Sequence, residues 1–183
     1  MKLIGIHGKA GAGKDTIGDY LAEHHGFMSF GFANPIKCMI DTAFGPIRWN
    51  DRKEKEAPLP GIGKSPRQLA QTLGTEWGRQ LVHPDIWVIL MEQTVFEVQR
   101  AEWADGAGVR GVVITDVRFE NEATWIRSRG GEVWHVRRDT AGVTDHPSEN
   151  GIDVRDGDRV ILNRGTIAEL HASVERLMAV RAA

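Results

Sequence analysis

Apolar positions open the chain as a nearly continuous run, KLIGIH at residues 2–7, the pattern of a central parallel strand covered on both faces. A glycine-rich turn follows, after which Ile17, Tyr20 and Leu21 recur at helical spacing until Gly26 supplies a C-terminal stop. The pattern then predicts a short strand near 27–32, a helix over 35–44, and a loop over 45–64 rich in proline, glycine and charge. SPRQ at residues 65–68 combines a capping serine, proline at the first helical position and glutamine at the third, so a helix starts there. Along it Leu69, Leu73 and Trp77 form an apolar stripe, while Arg67, Gln71, Gly74 and Thr75 line another side. A further helix is predicted from Asp85 to about Trp103, a strand over 111–115, a helix over 119–129 ending at Gly130, and strands at 132–137 and 159–162. Thr166 and Glu169 form a second capping box, opening a helix with Ile167, Leu170, Val174 and Leu177 on one face. Strands alternating with helices predict the α/β class, a parallel sheet with helices on both faces, whose ligands lie beyond the carboxyl ends of the strands.

Length and charge narrow the function. The 183 residues suit one domain, 1–183, with a substantial core. With 23 basic and 25 acidic residues, a net charge of −2 and no basic tail, a duplex nucleic-acid or membrane-surface role is disfavoured and a small-molecule partner expected. The single cysteine, Cys38, excludes an internal disulfide framework and fits a reducing, cytoplasmic compartment. The apolar run at 86–91 falls far short of the ~20 residues that cross a bilayer, and the N-terminal run reaches glycine too early for a signal peptide.

The turn at residues 8–16, GKAGAGKDT, has the spacing of a phosphate-cradling loop, G-x-x-x-x-G-K, with Asp15 where the usual magnesium-binding hydroxyl stands. Lying between a strand and a helix, it converges backbone N–H groups and a helix N-terminus on an anion. The amides of Gly11, Ala12, Gly13, Lys14, Asp15 and Thr16 are expected to hold phosphates, Lys14 to reach the β and γ oxygens, and Lys9 to stand beside them. Gly18, inside the helix, reads as close packing against the sheet. Asp116 closes the strand VVITD, either as a helix cap or as a carboxylate near magnesium; beside a phosphate loop the metal role is favoured. Asp15 is then a second carboxylate near the ion, acting through water, since magnesium accepts one or two carboxylates and keeps several waters.

Which reaction follows depends on the rest of the chain. DTAG at residues 139–142 resembles the D-x-x-G element of GTPases, but no N/T-K-x-D guanine motif accompanies it. A kinase acting on a phosphate acceptor needs positive charge and alignment more than a general base. Arg118, at a strand exit, could supply that charge, with Glu122 either orienting it or making a surface salt bridge. The polar side containing Arg67 is either a solvated face or a ligand face, and Trp87 either a wall for a base or core. The loop at about 138–157 is long and polar enough for a lid, with Arg137 and Arg138 at its base able to reach a transferring phosphoryl group. His146 lacks partner ligands and is assigned no metal.

Taken together, GKAGAGKDT, SPRQLAQTLGTEWGR, HPDIW, ITDVRFENE and DHPSENGI resemble, in order, the deoxynucleoside monophosphate kinases of tailed bacteriophages. The resemblance implies a P-loop kinase fold with a five-stranded parallel sheet, an acceptor-binding segment at about 34–103 and a lid. It implies transfer of the ATP γ-phosphate to a deoxynucleoside monophosphate with Mg2+, often in a homodimer, in the cytoplasm of an infected cell. Carried over by motif, Arg67, Gln68, Gln71, Gly74, Thr75 and Trp87 surround the acceptor, with Arg118 and Glu122 completing that pocket. Lys14, Asp15, Arg67, Asp116, Arg118, Glu122 and Arg138 then form the catalytic set. Asn163 and Gly165 are expected near the ATP adenine. The alternatives are another small P-loop metabolite kinase, such as a dephospho-coenzyme A kinase, and a nucleotide-binding switch with little turnover.

Overall fold

The computed structural model describes residues 1–106, 108–138 and 151–179. Residues 139–150 of the expected lid, including the DTAG stretch and His146, lie outside the described residues. The chain forms two compact units, Met1–Gly31 with Glu92–Ala183, and Phe32–Met91.

The first unit is built on a five-stranded, wholly parallel sheet. Its strands are β1 (Lys2–His7), β2 (Phe27–Phe30), β3 (Gly111–Val117), β4 (Glu132–Arg137) and β5 (Arg159–Leu162), in the order β2-β3-β1-β4-β5. Because β1 is central, with β3 and β4 beside it, the turns leaving these strands emerge at one edge, where ligands bind in open α/β sheets. Helix α1 (Lys14–His25) joins β1 to β2. It ends as the sequence predicts, at a left-handed Gly26 whose N–H returns to the Leu21 carbonyl. Ile4 and Ile6 of β1, Val113, Trp134, Val136 and Ile161 form one core with Ile17 and Leu21 of α1 and with Leu170 and Val174 of the last helix. Gly18 carries no side chain because a Cβ there would run into the Thr115 methyl. Its packing role is borne out. On the opposite face Gly5 is crossed by Ile126 of the helix that follows β3, so alternate residues of β1 serve two helical layers.

The second unit contains α2 (Asn34–Phe44), α3 (Arg52–Glu56), α4 (Pro66–Thr72), a π-helical segment (Leu73–Val82) and the start of α5 (Ile86–Asp105). Two of these differ from the sequence reading. Helix α3 interrupts the expected loop at 45–64; it buries no residue, so no hydrophobic period announces it, and Asp51 nucleates it by accepting from the N–H groups of Lys53 and Glu54. The π-helical segment replaces the second half of the helix that Ser65 opens. With bonds such as His83 N–H to the Gly78 carbonyl, five residues back, the helix widens and its faces rotate out of the 3.6-residue phase. Trp77, expected in the core stripe, is 41 % exposed as a result.

The remaining helices are α6 (Glu120–Ser128) and α7 (Ile167–Ala179). The predicted capping box at α7 forms, with Glu169 accepting from the Thr166 N–H at 2.7 Å and Thr166 Oγ1 accepting from the Glu169 N–H at 3.3 Å. Ile167 does not share the buried stripe; it is exposed in the first turn, while Leu170 and Val174 carry the packing.

Candidate active site

Backbone geometry makes the loop at residues 8–16 suited to an anion. Gly13 is the residue before α1 and is left-handed, with φ 104°, and no side chain caps the helix. The first-turn N–H groups, which any helix leaves without intrahelical partners, therefore end in the loop together with the positive end of the helix dipole. A Cβ at Gly13 would lie 2.7 Å from Asn163 Nδ2, so glycine is required both by φ and by this close approach. Lys14 Nζ bridges the loop to the Lys9 carbonyl at 2.9 Å, and the Ala12 N–H closes a turn onto the same carbonyl at 3.1 Å. Asp15 is exposed in the first turn of α1 and Thr16 is half-buried behind it.

The carboxyl end of β3 carries the second cluster. Gly5 pairs with Ile114 and His7 with Val117, so β3 spends one residue more than β1 over this stretch, a bulge. Thr115 faces α1 through Gly18, whereas Val117 faces α6 through Gly5. The alternation of the strand thus reverses at Asp116, the residue predicted to stand near magnesium. Arg118 is exposed just beyond. Glu122 is buried and 2 % exposed, and its Oε2 accepts from the N–H groups of Arg118 at 2.7 Å and Phe119 at 3.1 Å. Its contact with Arg118 is thus to the backbone, as the α6 cap. A buried carboxylate needs such donors, and the burial of Glu122 sets it apart from a surface salt bridge.

Among the described residues no group of three or more His, Cys, Asp or Glu side chains is gathered to hold a metal. Magnesium needs no such group, since one or two carboxylates suffice beside water and phosphate oxygens, and Asp15 and Asp116 fit that requirement in kind and number.

Behind the loop the structure gives two of the expected site residues contacts within the chain. Asn163, expected at the adenine, is buried, and its Nδ2 donates to the Ala12 carbonyl at 2.8 Å. It thus braces the phosphate loop from the end of β5. Gly165 belongs to the α7 cap, since a Cβ there would overlap the Glu169 carboxylate. Arg137 and Arg138 are both exposed at the end of β4.

In the second unit, several of the residues carried over as acceptor contacts are engaged with one another or with neighbouring helices of that unit. Gln68 Oε1 accepts from the Ser65 N–H at 2.9 Å, completing the capping box. Arg67 pairs with Glu56 at 3.1 Å, both half-exposed. Gly74 leaves room for Ile36, which a Cβ would approach to 3.1 Å. Trp87 is 3 % exposed, its indole N–H donates to the Gly74 carbonyl at 2.8 Å, and its ring occupies the place of a Cβ on Gly78. Trp87 is therefore buried within the second unit, in keeping with the core alternative of its two sequence readings. Gln71, on α4, and Thr75, on the π-helical segment, are half-buried.

Sequence reasoning passed over a polar network in the first unit. His7, the last residue of β1, lies between the Val117 carbonyl, 2.9 Å from Nδ1, and the Ile152 N–H, 3.4 Å from Nε2. Burial above all lowers its pKa, and His135, Lys14 and Arg118 add to this against the Val117 hydrogen bond. His135 meets His7 edge-on, ring centroids 5.4 Å apart, and hydrogen-bonds through Nε2 to Asp158 at 3.0 Å. Asp158 also accepts from Arg127 Nε at 3.1 Å and Nη2 at 2.7 Å, and from the Arg155 N–H at 2.9 Å. Burial pushes the Asp158 carboxyl up, but Arg127, the Arg155 N–H and His135 outweigh it and hold it at about 2. The sequence signal was small: an isolated histidine closing an apolar strand directly before the first glycine of the loop.

Comparison with known proteins bears on the same residues. The family model for deoxynucleotide monophosphate kinase matches residues 2–61 and 63–174. A putative deoxynucleotide monophosphate kinase of Acanthamoeba polyphaga mimivirus is 30% identical over 184 residues, covering 95% of this chain and 94% of its own. The deoxynucleotide monophosphate kinase of Enterobacteria phage T4 is 24% identical over 246 residues, covering 98% of this chain and 100% of its own. Among solved structures, a dephospho-CoA kinase from Campylobacter jejuni covers 98% of this chain and 96% of its own, with a TM-score of 0.49 and 14% identity. The family match runs from β1 through the phosphate loop, the bulged β3 and most of α7, and so takes in both units: the chain belongs to the deoxynucleotide monophosphate kinase family.

Proposed function

We propose that this protein transfers the γ-phosphoryl group of ATP to the phosphate of a deoxynucleoside monophosphate, giving ADP and a deoxynucleoside diphosphate. The observation that carries the reading is the uncapped N-terminus of α1 behind a left-handed Gly13, with Lys14 reaching across the loop. A triphosphate laid there meets backbone N–H groups fixed before it arrives, so little reorganisation is needed as charge shifts during transfer. Lys14 exchanges the Lys9 carbonyl for the β and γ oxygens. The acceptor phosphate oxygen attacks the γ-phosphorus, the bond to the β–γ bridging oxygen breaks, and that oxygen leaves with ADP. Arg118 neutralises the incoming monophosphate; Arg137 and Arg138 stand ready for the transferring group. Within the second unit, Arg67 remains a proposed acceptor contact. Asp15 and Asp116 would hold magnesium, which when bound neutralises the triphosphate and fixes its oxygens. Gln71 and Thr75 remain as acceptor contacts.

The partners are small nucleotides, and the homodimer implied by the resemblance is part of the proposal. No described helix is long and apolar enough to cross a membrane. For a phage-encoded member of this family the place of action would be the host cytoplasm.

A panel of acceptors with radiolabelled ATP and magnesium tests the reading. Label is expected on dGMP, dCMP or dTMP. Label on dephospho-coenzyme A alone, or nucleotide binding without transfer, would replace it.

A further inference from the structure

The His7 imidazole touches two backbone groups that need different things from it. The Val117 carbonyl can only accept, so Nδ1 carries a proton; the Ile152 N–H can only donate, so Nε2 carries none. Both bonds are met together by one species, the neutral Nδ1–H tautomer. An imidazolium would point a second N–H at the Ile152 N–H, and the other neutral tautomer would lose both contacts.

These contacts lie at a junction. Val117 stands between Asp116 and Arg118 at the reversed end of β3, and His7 itself is covalently joined to Gly8, where the phosphate loop begins. Ile152, buried, opens the stretch from 151 to 158, which is secured again at its far end by Asp158 on Arg127 and His135 and in its middle by the Asp153 carbonyl on Arg127 Nη2, at 3.0 Å. One ring thus ties the root of the donor loop to the residue pair carrying Asp116 and Arg118, and both to a strapped segment beyond them. The lowered pKa of His7 agrees with a ring kept neutral beside Lys14 and Arg118.

We propose that His7 is a positioning residue for phosphoryl transfer: as the neutral Nδ1–H tautomer it fixes the β3 exit, and with it Arg118, relative to the phosphate loop, without touching either nucleotide. The proposal rests on the kinase reading above. A displacement of the order of an ångström between the phosphate loop and Arg118 misaligns the reacting groups while leaving each binding contact largely intact, so kcat suffers more than KM.

Two measurements decide it. Long-range 15N–1H correlation spectra of the wild-type chain at neutral pH are expected to show His7 protonated at Nδ1 only; the Nε2–H form or an imidazolium overturns the proposal. In steady-state kinetics with the accepted deoxynucleotide, a folded His7→Phe variant is expected to lose about tenfold or more in kcat with both KM values within about threefold. His7→Asn, whose amide N–H can replace Nδ1–H toward Val117, should recover part of that loss. A folded His7→Phe protein with wild-type kcat overturns the proposal. If that variant does not fold, His7→Asn carries the test: it cannot reach the Ile152 N–H, so kcat should fall about threefold, and an unchanged kcat is disproof. A wild-type chain that phosphorylates none of the acceptors would sink the kinase reading instead, and the spectra would still report on the tautomer.

Discussion

The phosphate-loop unit and the helical unit present their candidate residues in opposite ways. Around residues 8–16 the ligand groups are largely backbone N–H groups, held open by glycine conformation, by the start of α1 and by the Asn163 brace. In Phe32–Met91 they are side chains, and several are already engaged: Gln68 caps its helix, Arg67 pairs with Glu56, and Trp87 is packed on Gly78. Backbone N–H groups at a helix start have no intrahelical partner to give up, whereas a side chain that can bind a ligand can also satisfy its own surroundings. A donor site can therefore be complete before its ligand comes, while an acceptor site made of side chains must exchange partners.

The largest expected effect follows from removing the side chain that crosses the loop, Lys14. Lys14→Ala should cut kcat by about 10³-fold with the far-ultraviolet circular dichroism unchanged, and Arg118→Ala by about 10²-fold. Near-normal turnover in a folded Arg118→Ala protein would remove that arginine from the site.

Next comes the brace. Asn163→Leu strips the Ala12 carbonyl of its buried donor and should cost about 2 kcal/mol in urea denaturation, together with a rise in KM for ATP and little change in KM for the acceptor. An equal rise for both substrates would contradict a brace specific to the donor loop.

Asp158 gives a pH test of similar size. Its folded pKa, about 2, lies below the unfolded value of 3.8, so its contribution is fully present above the unfolded value and is lost as pH falls through the folded one. The difference amounts to about 2 kcal/mol. In acid denaturation between pH 5 and 2, at about these values, Asp158→Asn should show a flatter fall in stability than wild type. Parallel curves would mean the carboxylate is not held down.

The smallest effect probes the exchange of partners in the helical unit. Arg67→Ala should raise KM for the monophosphate about tenfold, while Glu56→Gln, which releases Arg67 from its exposed ion pair, should lower it by no more than about twofold. If Glu56→Gln raises KM as Arg67→Ala does, the pair itself shapes the site.

How much was legible depended on how local the cause was. The phosphate loop, the Ser65 and Thr166 capping boxes, the Gly26 stop and the packing role of Gly18 follow from residues within a turn of one another, and each stands where the sequence placed it. Helix α3 was hidden because its residues, RKEKE, bury nothing. Trp77, expected in an apolar stripe, is exposed because the helix widens from Leu73 onward and no hydrophobic period reports that change. Asn163 and Glu122 were singled out as site residues, but their bonds to the Ala12 carbonyl and to the Arg118 and Phe119 N–H groups were not legible in the sequence.

By itself the sequence determined the local form of the loop at residues 8–16, since glycine freedom, a helix start and a lysine at fixed spacing are short-range properties of the chain. Only tertiary structure decided the order β2-β3-β1-β4-β5, the reversal of β3 at Asp116, and the meeting of His7 with Val117 and Ile152. Those depend on residues 110 and 145 positions apart being held within hydrogen-bonding distance, and such a distance is set by the packing of a whole sheet rather than by any stretch of sequence.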